Sequence, residues 1–138
     1  MKGKTMAEIQ VGDFAEFAKT ITETDVYLFA GITGDLNPAH LNQQEAEKGM
    51  FKSRIAHGML SAGLISAVLG MYLPGPGTIY MSQNLKFTAP VKFGDTITAR
   101  AEVTERNVEK NRLVLHTTCT NQDGKIVLDG EAMVMPPK

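Results

Sequence analysis

Cysteine, charge of one sign and long apolar runs are all scarce in this sequence. The single cysteine, Cys119, cannot form an internal disulfide, and one cysteine beside eight methionines favours a reducing compartment. Fourteen Lys and Arg against fifteen Asp and Glu give a formal net charge of −1 with no basic block, so the charge pattern predicts no nucleic-acid partner. The longest apolar stretch, 59–73, is broken by serine and glycine and is shorter than the ~20 residues of a membrane-spanning helix. With no signal-peptide pattern at the N-terminus either, we expect a cytoplasmic protein with no membrane partner.

Linkers, repeats and low-complexity segments are also missing, which leaves a chain of 138 residues with 43% hydrophobic and 21% charged residues. A chain of this length buries roughly two-thirds of its unfolded surface, so it forms a core without disulfide or metal support. We therefore predict one domain covering residues 1–138. Its character changes once, at the Pro-Gly-Pro-Gly loop 74–77, from helical to strand-like patterns.

The first half carries several helix signals after a predicted strand at 12–21. Thr22 followed by acidic residues predicts a helix start, and Gly34 predicts its end. Pro38 predicts a turn or extended loop, and Asn42 predicts the start of a short helix. The segment 58–72 predicts the main helix, and because it is apolar on nearly every side we expect it to be buried all round.

The second half has the period of two that strands require. Apolar and polar residues alternate along 96–103, and further strand-like runs cover 78–88, 113–120 and 126–135. The Asp-Gly pair within 121–124 predicts a hairpin turn. One buried helix followed by antiparallel strands predicts an α+β fold in which the sheet wraps the helix.

Two short clusters contain residues suited to proton transfer. In GDLNPAH, Asp35 and His40 lie five residues apart across a proline turn, so they could converge on one water molecule as base and proton carrier. Taken alone, the same residues fit a capped turn with a loop histidine equally well. In IAHGML, His57 fits a core or capping histidine, whereas Gly58 begins the buried helix and offers a free backbone N–H to a developing negative charge.

GDLNPAH, then FKSRIAHGML, then NLKFTAPVKFGDTI together resemble the MaoC-like (R)-specific enoyl-CoA hydratases, over residues 25–103. The resemblance implies a hot-dog fold, a homodimer, and reversible syn hydration of a trans-2-enoyl-CoA to an (R)-3-hydroxyacyl-CoA. It implies catalytic roles for Asp35 and His40 and a carbonyl-binding role for the Gly58 amide. Acyl-CoA is then the substrate, and no separate cofactor is expected.

Supporting roles are predicted for three more residues, Asn37 as a brace of the loop, Ser66 from the main helix and His57. Ser61 could also project toward the site from the main helix, but a small packing residue at a helix–sheet contact is the favoured interpretation for it. No zinc-ligand spacing, phosphate loop or nucleophile elbow is present, so we predict no metal site. Two other functions remain open, a hot-dog acyl-CoA thioesterase and a non-catalytic acyl-CoA-binding subunit. The joint presence of Asp35 and His40 favours the hydratase over both.

Overall fold

The computed structural model describes residues 1–138, and its largest element is a five-stranded antiparallel sheet with strand order β1-β3-β4-β5-β2. The alternating apolar pattern of the second half produces four of these strands, and the 12–21 segment supplies the fifth. The strands are β1 (Phe14–Thr20), β2 (Ile79–Phe87), β3 (Thr96–Asn107), β4 (Arg112–Thr120) and β5 (Ile126–Met135). β1 and β2 are therefore the two edge strands. The predicted strand positions and the turn before β5 are confirmed.

One face of the sheet forms the core. Along β3, every second residue from Ile97 to Val103 is buried, as the alternation predicts. Along β4, Leu115, Thr117 and Cys119 point to the same buried face. Burial raises the pKa of the Cys119 thiol to about 12, so this thiol is protonated at neutral pH and is a packing group.

The main helix, α4 (Gly58–Met71), lies on that buried face and contacts all five strands. Its residues Ile65, Val68 and Leu69 are buried against the sheet. This arrangement confirms the α+β prediction of a helix wrapped by a curved sheet. No helix in the structure combines the length and the apolar character that crossing a membrane requires.

The expectation that this helix is buried on every side was wrong for the single chain. Met59, Gly63, Ser66 and Met71 are exposed along one face of α4. An all-round apolar pattern predicts burial but cannot distinguish a surface covered by the chain's own sheet from a surface left open.

Three short helices precede α4 and carry the loop of interest. α1 (Glu23–Thr33) begins with a capping box between Thr22 and Asp25 and ends at Gly34, which has φ of +80°. α2 (Pro38–Leu41) is a single turn, and α3 (Gln43–Lys48) begins at Asn42 as predicted. The prediction of a turn or extended loop at Pro38 was therefore incomplete, because proline's fixed φ also suits the first position of a helix.

Candidate active site

The loop between α1 and α2 places Asp35 and His40 beside the start of α4. The left-handed conformation at Gly34 turns the chain away from α1, and the Asn37 side chain accepts a hydrogen bond from the Ala39 N–H (3.0 Å), which caps α2. The N–H of His40 also donates to the Asn37 carbonyl (2.9 Å). These local bonds fix the direction in which the His40 side chain projects from α2.

Three hydrogen bonds attach this loop to residues 55–57. The Ile55 N–H donates to the Ala39 carbonyl (3.2 Å), and His40 Nδ1 donates to the Ile55 carbonyl (2.6 Å). His57 Nε2 donates to the Asp35 backbone carbonyl (3.0 Å). The loop and the entry to α4 are thus held together although 22 residues separate Asp35 from His57.

The side chains of Asp35, His40 and His57 form one group, which we call the Asp–His cluster. Their potential ligand atoms all lie within 4.8 Å of one another. The rings of His40 and His57 stack with centroids 3.8 Å apart. The ring of Phe29 packs against the ring of His57, with centroids 4.8 Å apart. Asp35 is exposed, His40 is half-buried and His57 is buried, so the cluster opens to solvent on the Asp35 side.

Backbone carbonyls determine which ring nitrogens carry protons, because a carbonyl oxygen only accepts. His40 therefore holds its proton on Nδ1, which leaves Nε2 as the atom that can exchange a proton. His57 holds its proton on Nε2, and its Nδ1 is buried without a hydrogen-bond partner. On Asp35, Oδ1 accepts a long bond from the Asn37 N–H (3.3 Å), and the other carboxylate oxygen has no partner.

Gly58 follows the cluster directly as the first residue of α4, and its N–H has no acceptor within the chain. A Cβ at this position would lie 2.6 Å from the ring of Phe87, so the packing admits only glycine without a shift. The free N–H and the positive end of the helix dipole both favour an oxygen that carries negative charge.

An apolar cavity of about 390 Å³ lies against this helix start. Gly58 and Ser61 line it from α4, and Phe87 lines it from β2. Asp35, His40 and His57 do not line this cavity, so Gly58 is the residue that links the exposed acid–base cluster with a half-open apolar space. That combination suits a substrate with a polarisable carbonyl next to an apolar chain.

Comparison with known proteins places this arrangement in a family. The model of the MaoC like domain matches residues 8–123, which include the whole loop, α4 and most of the sheet. The chain belongs to the MaoC-like dehydratase family.

Individual MaoC-like proteins resemble the chain over nearly its full length. An (R)-specific enoyl-CoA hydratase of Rhodospirillum rubrum is 58% identical over 130 residues, covering 94% of this chain and 90% of the relative. A 3-hydroxybutyryl-CoA dehydratase of Methylorubrum extorquens is 50% identical, covering 95% and 83%. The solved structure of an unliganded R-hydratase from Pseudomonas aeruginosa matches with a TM-score of 0.93 and 50% identity, covering 99% of this chain and 87% of that one. The predicted hot-dog fold and the MaoC-like resemblance are confirmed.

The structure separates the predicted residues of this MaoC-like site into two groups. Asp35, His40, His57 and Gly58 come together at the start of α4. Asn37 caps α2 beside them, which matches the predicted bracing position. Ser66 lies two turns further along α4 on its exposed face and makes no hydrogen bond with the cluster.

The Asp–His cluster also has the residue types of a metal site. One nitrogen of each histidine already donates to a carbonyl. Metal-ligating histidines make the same bond with their second nitrogen, so this hydrogen bonding fits a metal ligand as well as a proton carrier. The prediction that no metal is bound stays a prediction.

Two features of this MaoC-like site escaped the sequence-based predictions. The contact between His57 and the Asp35 carbonyl was not foreseen, although a second histidine directly before a helix start was a visible signal. Ser61, interpreted as a small packing residue, carries a buried hydroxyl without a partner beside the cavity.

Proposed function

We propose that the protein is an (R)-specific enoyl-CoA hydratase that adds water reversibly to a trans-2-enoyl-CoA and forms an (R)-3-hydroxyacyl-CoA. The observation that carries the proposal is the convergence of Asp35 and His40 on the helix start where the Gly58 N–H is free. The activities named for the relatives at 58% and 50% identity support it. Both named activities belong to hydro-lyases, and the enzyme class predicted from the sequence is confirmed.

In this mechanism Asp35 acts as the general base. Its unpartnered carboxylate oxygen takes a proton from water while the water oxygen bonds to C3 of the enoyl chain. The electron pair of the C2–C3 double bond moves toward the thioester, so that negative charge develops on the carbonyl oxygen. The Gly58 N–H and the dipole of α4 stabilise this charge.

His40 completes the addition through Nε2. Its Nδ1 proton is held by the Ile55 carbonyl, so only Nε2 exchanges. The proton that Asp35 takes from water passes to Nε2 of His40 and from there to C2, so one water supplies both the hydroxyl and the hydrogen. Both groups thus return to their starting states, and addition of one water from the Asp35–His40 pair to one face of the double bond is syn addition.

His57 and Asn37 act as positioning residues in this proposal. His57 holds the Asp35 backbone and stacks beneath His40, and Asn37 sets the first turn of α2. Ser66 is too far along α4 to touch the same water within one chain. A supporting role for Ser66 therefore requires a second subunit against the exposed face of α4.

We also propose that the active form is a homodimer paired through β2. This edge strand of nine residues exposes Ile79, Tyr80 and Met81 and has one charged side chain, Lys86. Natural edge strands avoid self-pairing with charges and short length, so a long edge strand with a single charge is suited to a partner. A two-fold pairing of β2 would continue the sheet across two copies and bring the exposed faces of the two α4 helices near each other.

A single assay tests the activity against its alternatives. Purified protein is mixed with trans-2-butenoyl-CoA, and loss of the conjugated double bond and release of free thiol are followed together. We expect loss of conjugation without thiol. Thiol release would identify a thioesterase instead, and binding without either change would identify an acyl-CoA-binding subunit.

A further inference from the structure

The apolar cavity beside Gly58 is lined by two hydroxyl side chains that the mechanism above does not use. The Thr88 hydroxyl donates to the Ile126 carbonyl (2.7 Å), so only the Ser61 hydroxyl has no partner. Hydrophobic side chains make up nine of its thirteen lining residues, and they include Phe51, Met59, Phe87 and Leu128. Ser61 is the exception on the α4 side. An apolar ligand tail offers no hydrogen-bond partner to the Ser61 hydroxyl. A hydroxyl at this position therefore favours a ligand with a polar atom nearby.

The Ser61 hydroxyl has no hydrogen-bond partner in the structure, although the residue is only 2% exposed. A serine within a helix can bond to the carbonyl four residues earlier, but Ser61 makes no such bond to His57. The Cys119 thiol contacts the Ser61 backbone carbonyl (3.5 Å) and not the hydroxyl. Buried polar side chains without a partner are uncommon in folded proteins, and they often mark a site.

Helix geometry directs this hydroxyl toward Gly58. Residues three apart share a helix face, and each Cα–Cβ bond tilts toward the helix N-terminus, so the Ser61 side chain lies over the first turn of α4. Gly58 has no side chain of its own, the ring of Phe87 packs against its Cα, and Gly58 and Ser61 line the same cavity. The free N–H and the unpartnered O–H are therefore two donors at one end of an apolar space.

We propose that the Ser61 hydroxyl donates a second hydrogen bond to the thioester carbonyl oxygen that the Gly58 N–H binds. The inference rests on the proposed hydratase function and adds a catalytic residue to it. The proposal requires the Ser61 hydroxyl, which is buried without a partner in a residue that lines the cavity, to turn toward the bound oxygen. Two donors hold the developing charge more firmly than one, and the bond strengthens as charge develops.

The test is the variant Ser61→Ala, assayed with trans-2-butenoyl-CoA alongside the wild type. Removing one donor to a developing oxyanion typically lowers kcat on the order of 10²-fold, and we expect a loss of that order with a KM changed less than about threefold. The variant removes a buried hydroxyl that has no partner in the free protein, so we expect its thermal midpoint to equal or exceed that of the wild type. A role in packing alone would change neither kcat nor KM.

Two further variants make the result specific. Ser61→Cys keeps the shape with a much weaker donor and is expected to lose activity as Ser61→Ala does. Ser53→Ala is the matched control, since its hydroxyl is also buried without a partner but lines a separate cleft beside α3. We expect Ser53→Ala to keep wild-type kcat.

Three results would overturn the assignment: wild-type kcat in Ser61→Ala, an equal loss in Ser53→Ala, or a lower thermal midpoint in Ser61→Ala that assigns the hydroxyl a structural role. A wild-type protein without hydratase activity would contradict the proposed function itself, and the inference with it. The wild-type measurement therefore separates the two failures.

Discussion

Two backbone carbonyls determine which ring nitrogens of the Asp–His cluster are free for the proposed proton transfer. The Ile55 carbonyl holds a proton on His40 Nδ1, and the Asp35 carbonyl holds one on His57 Nε2. Of the two rings, only His40 presents a free nitrogen toward the exposed side of the cluster, because His57 Nδ1 is buried. In the proposed mechanism the cluster therefore supplies one base, one exchanging imidazole and one positioning imidazole.

Replacing Asp35 by asparagine tests the base directly. The amide has the same size and can still accept the Asn37 N–H, but it cannot take a proton from water. General acid–base catalysis contributes about 10²–10⁴-fold, and we expect kcat of Asp35→Asn to fall by that factor with an unchanged thermal midpoint. Asp123→Asn, in the exposed turn before β5, is the matched control and should keep wild-type activity. Near-normal turnover in Asp35→Asn would remove Asp35 from the mechanism.

Among the individual site residues, the sequence indicated those that short spacing along the chain brings together. GDLNPAH places Asp35 and His40 across one proline turn, and IAHGML places Gly58 at a helix start. The bond from His57 to the Asp35 carbonyl depends on how two distant segments pack, and no local pattern contains that information. The sequence offered Ser61 as a site residue but favoured a packing role for it, since serine is common in helix–sheet contacts and only the structure reveals its missing partner.

Among the elements, α1 carries the loop and is held by its N-terminal capping box. The Thr22 N–H bonds to the Asp25 carboxylate (2.9 Å), and the Asp25 N–H bonds to Thr22 Oγ1 (3.1 Å). Two contacts hold the pKa of Asp25 below its usual range. The larger effect comes from the hydrogen bond of the Thr22 N–H, and the next from the Lys19 ammonium at 2.9 Å. The charged carboxylate is therefore the form that stabilises the start of α1.

The pH dependence of stability follows from that lowered pKa. A carboxylate whose pKa is depressed by folding stabilises the native state above its unfolded pKa, near 3.9, and loses the contribution as pH falls through the folded value. We expect Asp25→Asn to lower the free energy of unfolding by about 1 kcal/mol at pH 7, the usual scale for caps and helix-dipole contacts. The difference from wild type should shrink below about pH 3.

Urea unfolding at pH 7 and pH 3 checks this prediction, with Asp123→Asn again as the control. A difference between Asp25→Asn and wild type that is the same at both pH values would show that the charge of Asp25 contributes nothing.

The elements were predictable wherever the pattern is local. The period of two located the strands, and caps at Thr22 and Asn42 located two helices. The α4 pattern predicted a helix at the right position but the wrong surroundings, because Met59 and Met71 are as apolar as the residues that face the sheet. Which side of an apolar helix the sheet covers is decided by tertiary packing.

For the whole molecule, the two sheet edges differ in a way that bears on assembly. β1 has charged side chains at Glu16 and Lys19 within seven residues, whereas β2 has only Lys86 within nine. Charges on an edge discourage pairing with another chain, so β2 is the edge suited to self-association.

Placing two lysines on β2 tests the proposed dimer. In the double variant Ile79→Lys/Met81→Lys, a two-fold axis would bring four like charges together, and we expect sedimentation velocity to show monomers where the wild type sediments as a dimer. Val108→Lys changes another exposed apolar residue, which lies outside β2, and should leave the dimer intact. A wild-type protein that is monomeric at micromolar concentration, or a double variant that stays dimeric, would contradict pairing through β2.

The central claim is that the Asp–His cluster and the Gly58 N–H hydrate an enoyl thioester on one face. The most direct test is hydration of trans-2-butenoyl-CoA by the wild-type protein in deuterium oxide, followed by chiral and isotopic determination of the product. The mechanism predicts (R)-3-hydroxybutyryl-CoA with a single deuterium at C2, added on the same face as the hydroxyl. An (S) product, addition on opposite faces, or release of free CoA without hydration would contradict it.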